Sequence, residues 1–128
     1  MWWPQENITD DDVKRCIDAG PADVLVSHDR PSLARISLPP WPRGWSDADH
    51  ARCEVSREKI QAICRHTQPY MVMHGHYHQP FSEIIADLGY DHPVRVAQLG
   101  MDGTDENYRL LDAETLEWLT LEEPTPPR

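Results

Sequence analysis

Two short apolar runs, Val24-Leu25-Val26 and Met71-Val72-Met73, stand out from largely polar surroundings. Neither alternates polar with apolar positions, and the first is β-branched in character, which is the pattern of short strands buried on both faces. Between them, Asp47 to His66 carries Val55, Lys59, Ile60, Ile63 and Cys64 at helical spacing, predicting a helix that Pro69 stops. Ahead of the first run, Thr9 reads as an N-cap followed by Asp10, Asp11 and Asp12. Val13 and Ile17 then share a face and Gly20 can close the turn, so a short helix over 10–19 is expected.

The segment from Arg30 to Trp45 holds four prolines, which exclude a long helix or central strand, together with Leu33, Ile36, Leu38, Trp41 and Trp45. It reads as a long loop that packs through its apolar side chains. After residue 80 the pattern becomes strand-like in "SEIIADL", "PVRVAQLG", "YRLLDA" and "TLEWLTL". Turn signals at Gly89-Tyr90-Asp91, Met101-Asp102-Gly103 and Asp112-Ala113-Glu114 separate them. These are expected to be largely antiparallel strands that extend the first sheet or form its partner. The chain thus reads as α/β, one domain over 1–121, with "EEPTPPR" (122–128) as a flexible tail.

Strand, loop, helix, strand makes a right-handed crossover if the two strands are parallel. The residues after each strand then emerge at the same carboxyl edge, where open α/β sheets place their ligand sites. His28 follows the first strand, and "MVMHGHYHQP" puts His74, His76 and His78 at and beyond the end of the second.

Composition narrows the possibilities. Against 22 acidic residues there are 12 basic ones, a formal charge of -10 that repels nucleic-acid phosphates, so general nucleic-acid binding is not expected. A small phosphate ester meets the same repulsion unless metal ions supply local positive charge. No run approaches a membrane span, and "MWWPQENITDDD" lacks the features of a signal peptide, so a cytoplasmic protein without membrane contact is expected. Cys16, Cys53 and Cys64 are odd in number and form no CxxC pair, which favours reduced, mostly buried thiols over a disulfide framework or zinc knuckle.

Neutral imidazole suits Zn, Fe, Mn or Co, provided several converge from different elements. Alternate residues of an extended segment face one side, so His74, His76 and His78 can share a region. Gly75 implies a tight change of direction that leaves His74 in the strand and His76 and His78 in the loop. Adding His28 at the same edge gives the candidate ligand set His28, His76 and His78. Asp29 reads either as an acceptor fixing a ligand imidazole or as a turn cap. Arg30 reads as a phosphate contact or a solvated side chain, and Trp41 and Trp45 as groove-lining or packing residues. His50, His66 and His92 read as surface or hydrogen-bonded histidines. No residue is assigned a catalytic role.

"DVLVSH" (23–28) followed by "HGHYH" (74–78) resembles the C-terminal half of a calcineurin-like metallophosphoesterase domain, with its histidine after a buried strand and its Gly-His-x-His. "WWPQENIT" and "GMDGTDENYRLLDAETLEW" are similar to that family's flanking segments. The resemblance implies a partial metallophosphoesterase-like β-sandwich with flanking helices and a mixed sheet. It implies divalent metal ions (Mn, Fe or Zn), with His28 and His76 on one ion and His78 on the other, acting on phosphate mono- or diesters. His74 and Tyr77 match no ligand position. The family's earlier motifs, Asp-x-His, Gly-Asp-x-x and Gly-Asn-His-Asp/Glu, would precede Trp2. The resemblance therefore implies a phosphoesterase that is incomplete or inactive alone, joined by an N-terminal half or by homo-oligomerisation. The alternative is a non-catalytic metal-binding or protein-interaction module that retains half the fold. A structural zinc module has less to support it, since no cysteine accompanies the histidines at finger-like spacing.

Overall fold

The computed structural model describes residues 7–35, 46–86, 91–104 and 106–119. Two helices begin with the same device. In α1 (Asp10–Ala19), the Thr9 side chain accepts from the Asp12 N–H and the Asp12 carboxylate accepts from the Thr9 N–H, a reciprocal capping box. The Thr9 hydroxyl also donates to the Asp12 carboxylate at 2.6 Å, and this bond, with that from the Thr9 N–H, holds the Asp12 carboxyl down to about 2. Gly20, at φ +87°, closes α1 as its sequence position suggests. In α2 (Asp47–Thr67), Ser46 and Asp49 repeat the box. The helix ends where Gln68 turns left-handed and donates its N–H to the Cys64 carbonyl at 2.8 Å, with Pro69 next.

The strands are β1 (Val24–Ser27), β2 (Met71–His74), β3 (Phe81–Ile85), β4 (Val94–Gln98), β5 (Leu110–Leu111) and β6 (Trp118–Leu119). The first four form a mixed sheet in the order β1-β2-β4-β3, and β5 and β6 pair as a separate two-stranded sheet. β1 and β2 are parallel, with Val24 opposite Met71 and Ser27 opposite His74, so the expected crossover through α2 is present. The later strands depart from the antiparallel expectation at β4. It inserts between β2 and β3 and runs parallel to β2, leaving β3 as the antiparallel edge. The chain leaves β2, forms β3 one strand position further out, and returns to fill the gap.

Alternation fixes the faces. Leu25, Val72, Val94 and Val96 point toward α2 and join Ile60, Cys64 and Ala34 in the core, with Ile8 and Ile85 packed beside them. Each of these larger apolar side chains contributes about 1.5–3 kcal/mol by leaving water. β2 is buried on both faces, as its apolar run predicts, but β1 is not. Val26 is 71% exposed, because it projects from the face opposite α2 on an edge strand. The helical stripe also differs from the one expected. Buried positions are Cys53, Arg57, Ile60, Gln61, Ile63, Cys64 and Thr67, whereas Val55 lies out of phase with them and is 53% exposed.

The loop after β1 packs through Pro31 and Ala34 rather than through Leu33, which is exposed. Arg30 clamps it, its Nη1 donating to the carbonyls of Pro31, Ser32 and Ala34 at 3.0, 2.7 and 2.6 Å. Ile36, Leu38, Trp41, Trp45, the Gly89-Tyr90 turn, most of "WWPQENIT" and the 122–128 tail lie outside the described residues. Among the described residues, no helix is long and apolar enough to cross a membrane.

Candidate metal centre

Parallel pairing brings the carboxyl ends of β1 and β2 level, and the Gly75 N–H donates to the His28 carbonyl at 3.2 Å just beyond them. The change of direction that follows is made by the histidines themselves. His76 and His78 adopt φ +70° and +60°, whereas Gly75 does not enter the left-handed region and a Cβ on it would meet no atom within 4 Å. A non-glycine residue in that region costs on the order of 1–2 kcal/mol, and such residues concentrate at functional sites.

This turn delivers the His76 ring to His28. Nδ1 of His76 and Nε2 of His28 are 2.9 Å apart, with the rings edge to face. Two imidazole nitrogens at this separation share a proton or a cation. His78 is exposed and does not join them in a three-donor group. His74 ends β2 with its side chain buried. Its Nε2 has no hydrogen-bond partner among the described residues, and burial holds the ring down to about 4, so it stays neutral at physiological pH.

Beneath the histidine pair lies a buried ionic group. The Asp29 carboxylate accepts from the Arg30 N–H at 2.7 Å and from the Tyr77 hydroxyl on Oδ1, and from Arg57 Nε at 3.1 Å on Oδ2. Arg57, whose side chain is 6% exposed, also reaches the half-exposed Glu54 carboxylate at 3.1 Å. Burial opposes the charge of Arg57, but Asp29, Tyr77 and Glu54 outweigh it and its pKa is raised. Burial, and then the adjacent Asp29 carboxylate, push the Tyr77 phenol well above its ordinary range, so Tyr77 remains a donor. The Tyr77 ring also stands edge-on to His76, with centroids 4.9 Å apart.

Ligand atoms of Asp29, Cys53 and His76 lie within 4.8 Å of one another, a candidate metal-binding group drawn from two loops and α2. Of the three histidines expected as ligands, His76 alone belongs to this group among the described residues, with His28 against its ring and His78 apart. Arg30 is occupied by its own loop. His66 hydrogen-bonds the Ala62 carbonyl and His92 stacks on Tyr70, away from the site.

Sequence reasoning passed over Arg57, read Cys53 only as a buried thiol, as it is, and gave Tyr77 no ligand position. Cys53, Arg57 and Gln61 follow one another at four-residue intervals, a helical stripe that a reading of apolar positions alone discards. Comparison with known proteins returns no match to a family model, a curated protein or a solved structure.

Proposed function

We propose that the carboxyl edge of the sheet is a divalent-metal centre serving the hydrolysis of phosphate mono- or diesters, in a chain that carries the C-terminal portion of a calcineurin-like metallophosphoesterase fold. The observation that carries this reading is the 2.9 Å approach of His28 Nε2 to His76 Nδ1 from two parallel strand ends. Two nitrogens bound to one ion at about 2.1 Å lie roughly 3 Å apart, so the pair fits a shared coordination sphere. On the same reading the four-stranded sheet is one layer of a β-sandwich, and the exposure of Val26 and Ile84 opposite α2 supports a further layer there.

His28 and His76 would hold Mn, Fe or Zn, and a bound ion would supply positive charge against phosphoryl oxygens that the acidic chain otherwise repels. A second ion beside the first needs a bridging carboxylate. Asp29 is already engaged by Arg57, Tyr77 and the Arg30 N–H, so the donors fit one ion rather than a pair. Full activity on this reading draws its remaining groups from a second polypeptide or a second copy. The engagement of Asp29 also favours a second reading, a metal-binding or protein-interaction module without catalysis.

Metal content after exhaustive dialysis, with turnover of p-nitrophenyl phosphate and its bis ester under Mn, tests both. Retained metal with turnover, both abolished by His76→Ala, supports the hydrolase. Retained metal without turnover supports the module, and neither metal nor turnover overturns the hydrolase reading and any metal-binding role for this chain.

A further inference from the structure

We infer that Cys53 is a thiolate ligand, completing with His76 and Asp29 a mixed sulfur, nitrogen and oxygen site selective for Zn(II) or Co(II). Three donors meet here from three separate elements: the loop after β1, the first half of α2 and the loop after β2. Asp29 and Cys53 are buried while His76 is half-buried, so the group is closed on its inner side and open through the imidazole. Three hydrogen bonds on the Asp29 carboxylate leave one of its roughly four lone-pair positions, on Oδ2, for a cation.

Charge points the same way. Asp29 and Glu54 both pair with the guanidinium of Arg57. When the sulfur–metal bond forms, the thiol proton passes to the buffer, and the Cys53 thiolate with the Asp29 carboxylate offsets the charge of a divalent ion. Nη2 of Arg57 is buried without a partner among the described residues, so this ionic group has an unmet donor and accommodates more negative charge than a protonated thiol provides. Thiolate is a soft donor and discriminates against Mg and Mn in favour of Zn and Co. No cysteine belongs to the ligand set implied by the resemblance. The inference rests on the metal-centre reading through His76, and it narrows the metal.

The test titrates the reduced full chain with Co(II) alone. One equivalent should bind with a thiolate-to-cobalt charge-transfer band in the near ultraviolet. Cys53→Ser should abolish the band, and Cys53→Ser and His76→Gln should each weaken binding by at least about tenfold, while His78→Gln retains both. Binding without the band, a band that survives in C53S, or no binding overturns the inference. Should C53S lose its circular-dichroism signature, X-ray absorption at the zinc edge is measured on the unaltered chain loaded with one equivalent of Zn(II), where a sulfur neighbour at about 2.3 Å is expected. A shell of nitrogen and oxygen alone is then decisive against a thiolate ligand. A band without phosphoester turnover leaves this inference standing and removes the hydrolase reading, and turnover without a band does the reverse.

Discussion

The Tyr77 hydroxyl donates to the Asp29 carboxylate across 48 residues of sequence, with Arg57 Nε within 3.1 Å of both side chains. Each partner follows directly on one histidine of the close pair, Asp29 on His28 and Tyr77 on His76. The hydrogen bond therefore ties together the two loops that carry the imidazoles.

Tyr77→Phe keeps the ring and removes only the donor. Loss of a hydrogen bond to a buried charged group should cost about 2 kcal/mol in urea unfolding. Metal affinity should fall about tenfold as the loops lose their register. Lower stability with unchanged affinity would show that the bond does not set the histidine spacing.

Arg57→Met should be more damaging, because it leaves the Asp29 carboxylate buried without its cation, at a cost of about 3–5 kcal/mol. Adding Asp29→Asn to that variant removes the stranded charge and should restore part of the loss. Denaturant midpoints of the two single variants and the double variant measure this, and strict additivity would contradict it.

The left-handed backbone at His78 yields a prediction on strain. His78→Gly should be more stable than His78→Ala by about 1 kcal/mol, against the usual penalty of glycine, because alanine retains the Cβ that this conformation disfavours. Thermal unfolding of the pair decides it, and equal stabilities would mean that the loop relaxes.

His74→Leu separates the strand histidine from its neighbours. The substitution removes a buried ring nitrogen that lacks a partner and should raise stability by up to about 1 kcal/mol without changing metal uptake. Loss of bound metal in this variant would place His74 among the ligands.

The sequence reading succeeded where local rules act alone. Thr9, Gly20 and Pro69 mark helix ends through short-range geometry, and both parallel strands follow from their apolar runs. It failed where the third dimension decides. Val26 belongs to a run that reads as fully buried, but strand order puts it on an edge and exposes it. Nothing local to "PVRVAQLG" specifies that it inserts beside β2, since that order depends on which backbone edge remains open when the chain returns. At the site, the histidines were legible as a spacing pattern, whereas Arg57 and Cys53 were hidden because a buried arginine is recognisable only once its carboxylate partner has been brought to it.

The position of β1 has a bearing on assembly. Among the described residues β1 pairs with β2 alone, and no strand of those residues lies on its other edge. A closed dimer joined through two such edges must run them antiparallel, because a two-fold axis pairs a strand edge with itself only in that sense. The carboxyl ends of the two β1 strands would then point in opposite directions, placing the two histidine pairs at opposite ends of one continuous eight-stranded sheet (two copies of the four-stranded sheet). Such a dimer would bury the edge yet leave each candidate metal centre as it is in the monomer. A strand that both caps β1 and adds ligands beside His28 must come from a different stretch of polypeptide.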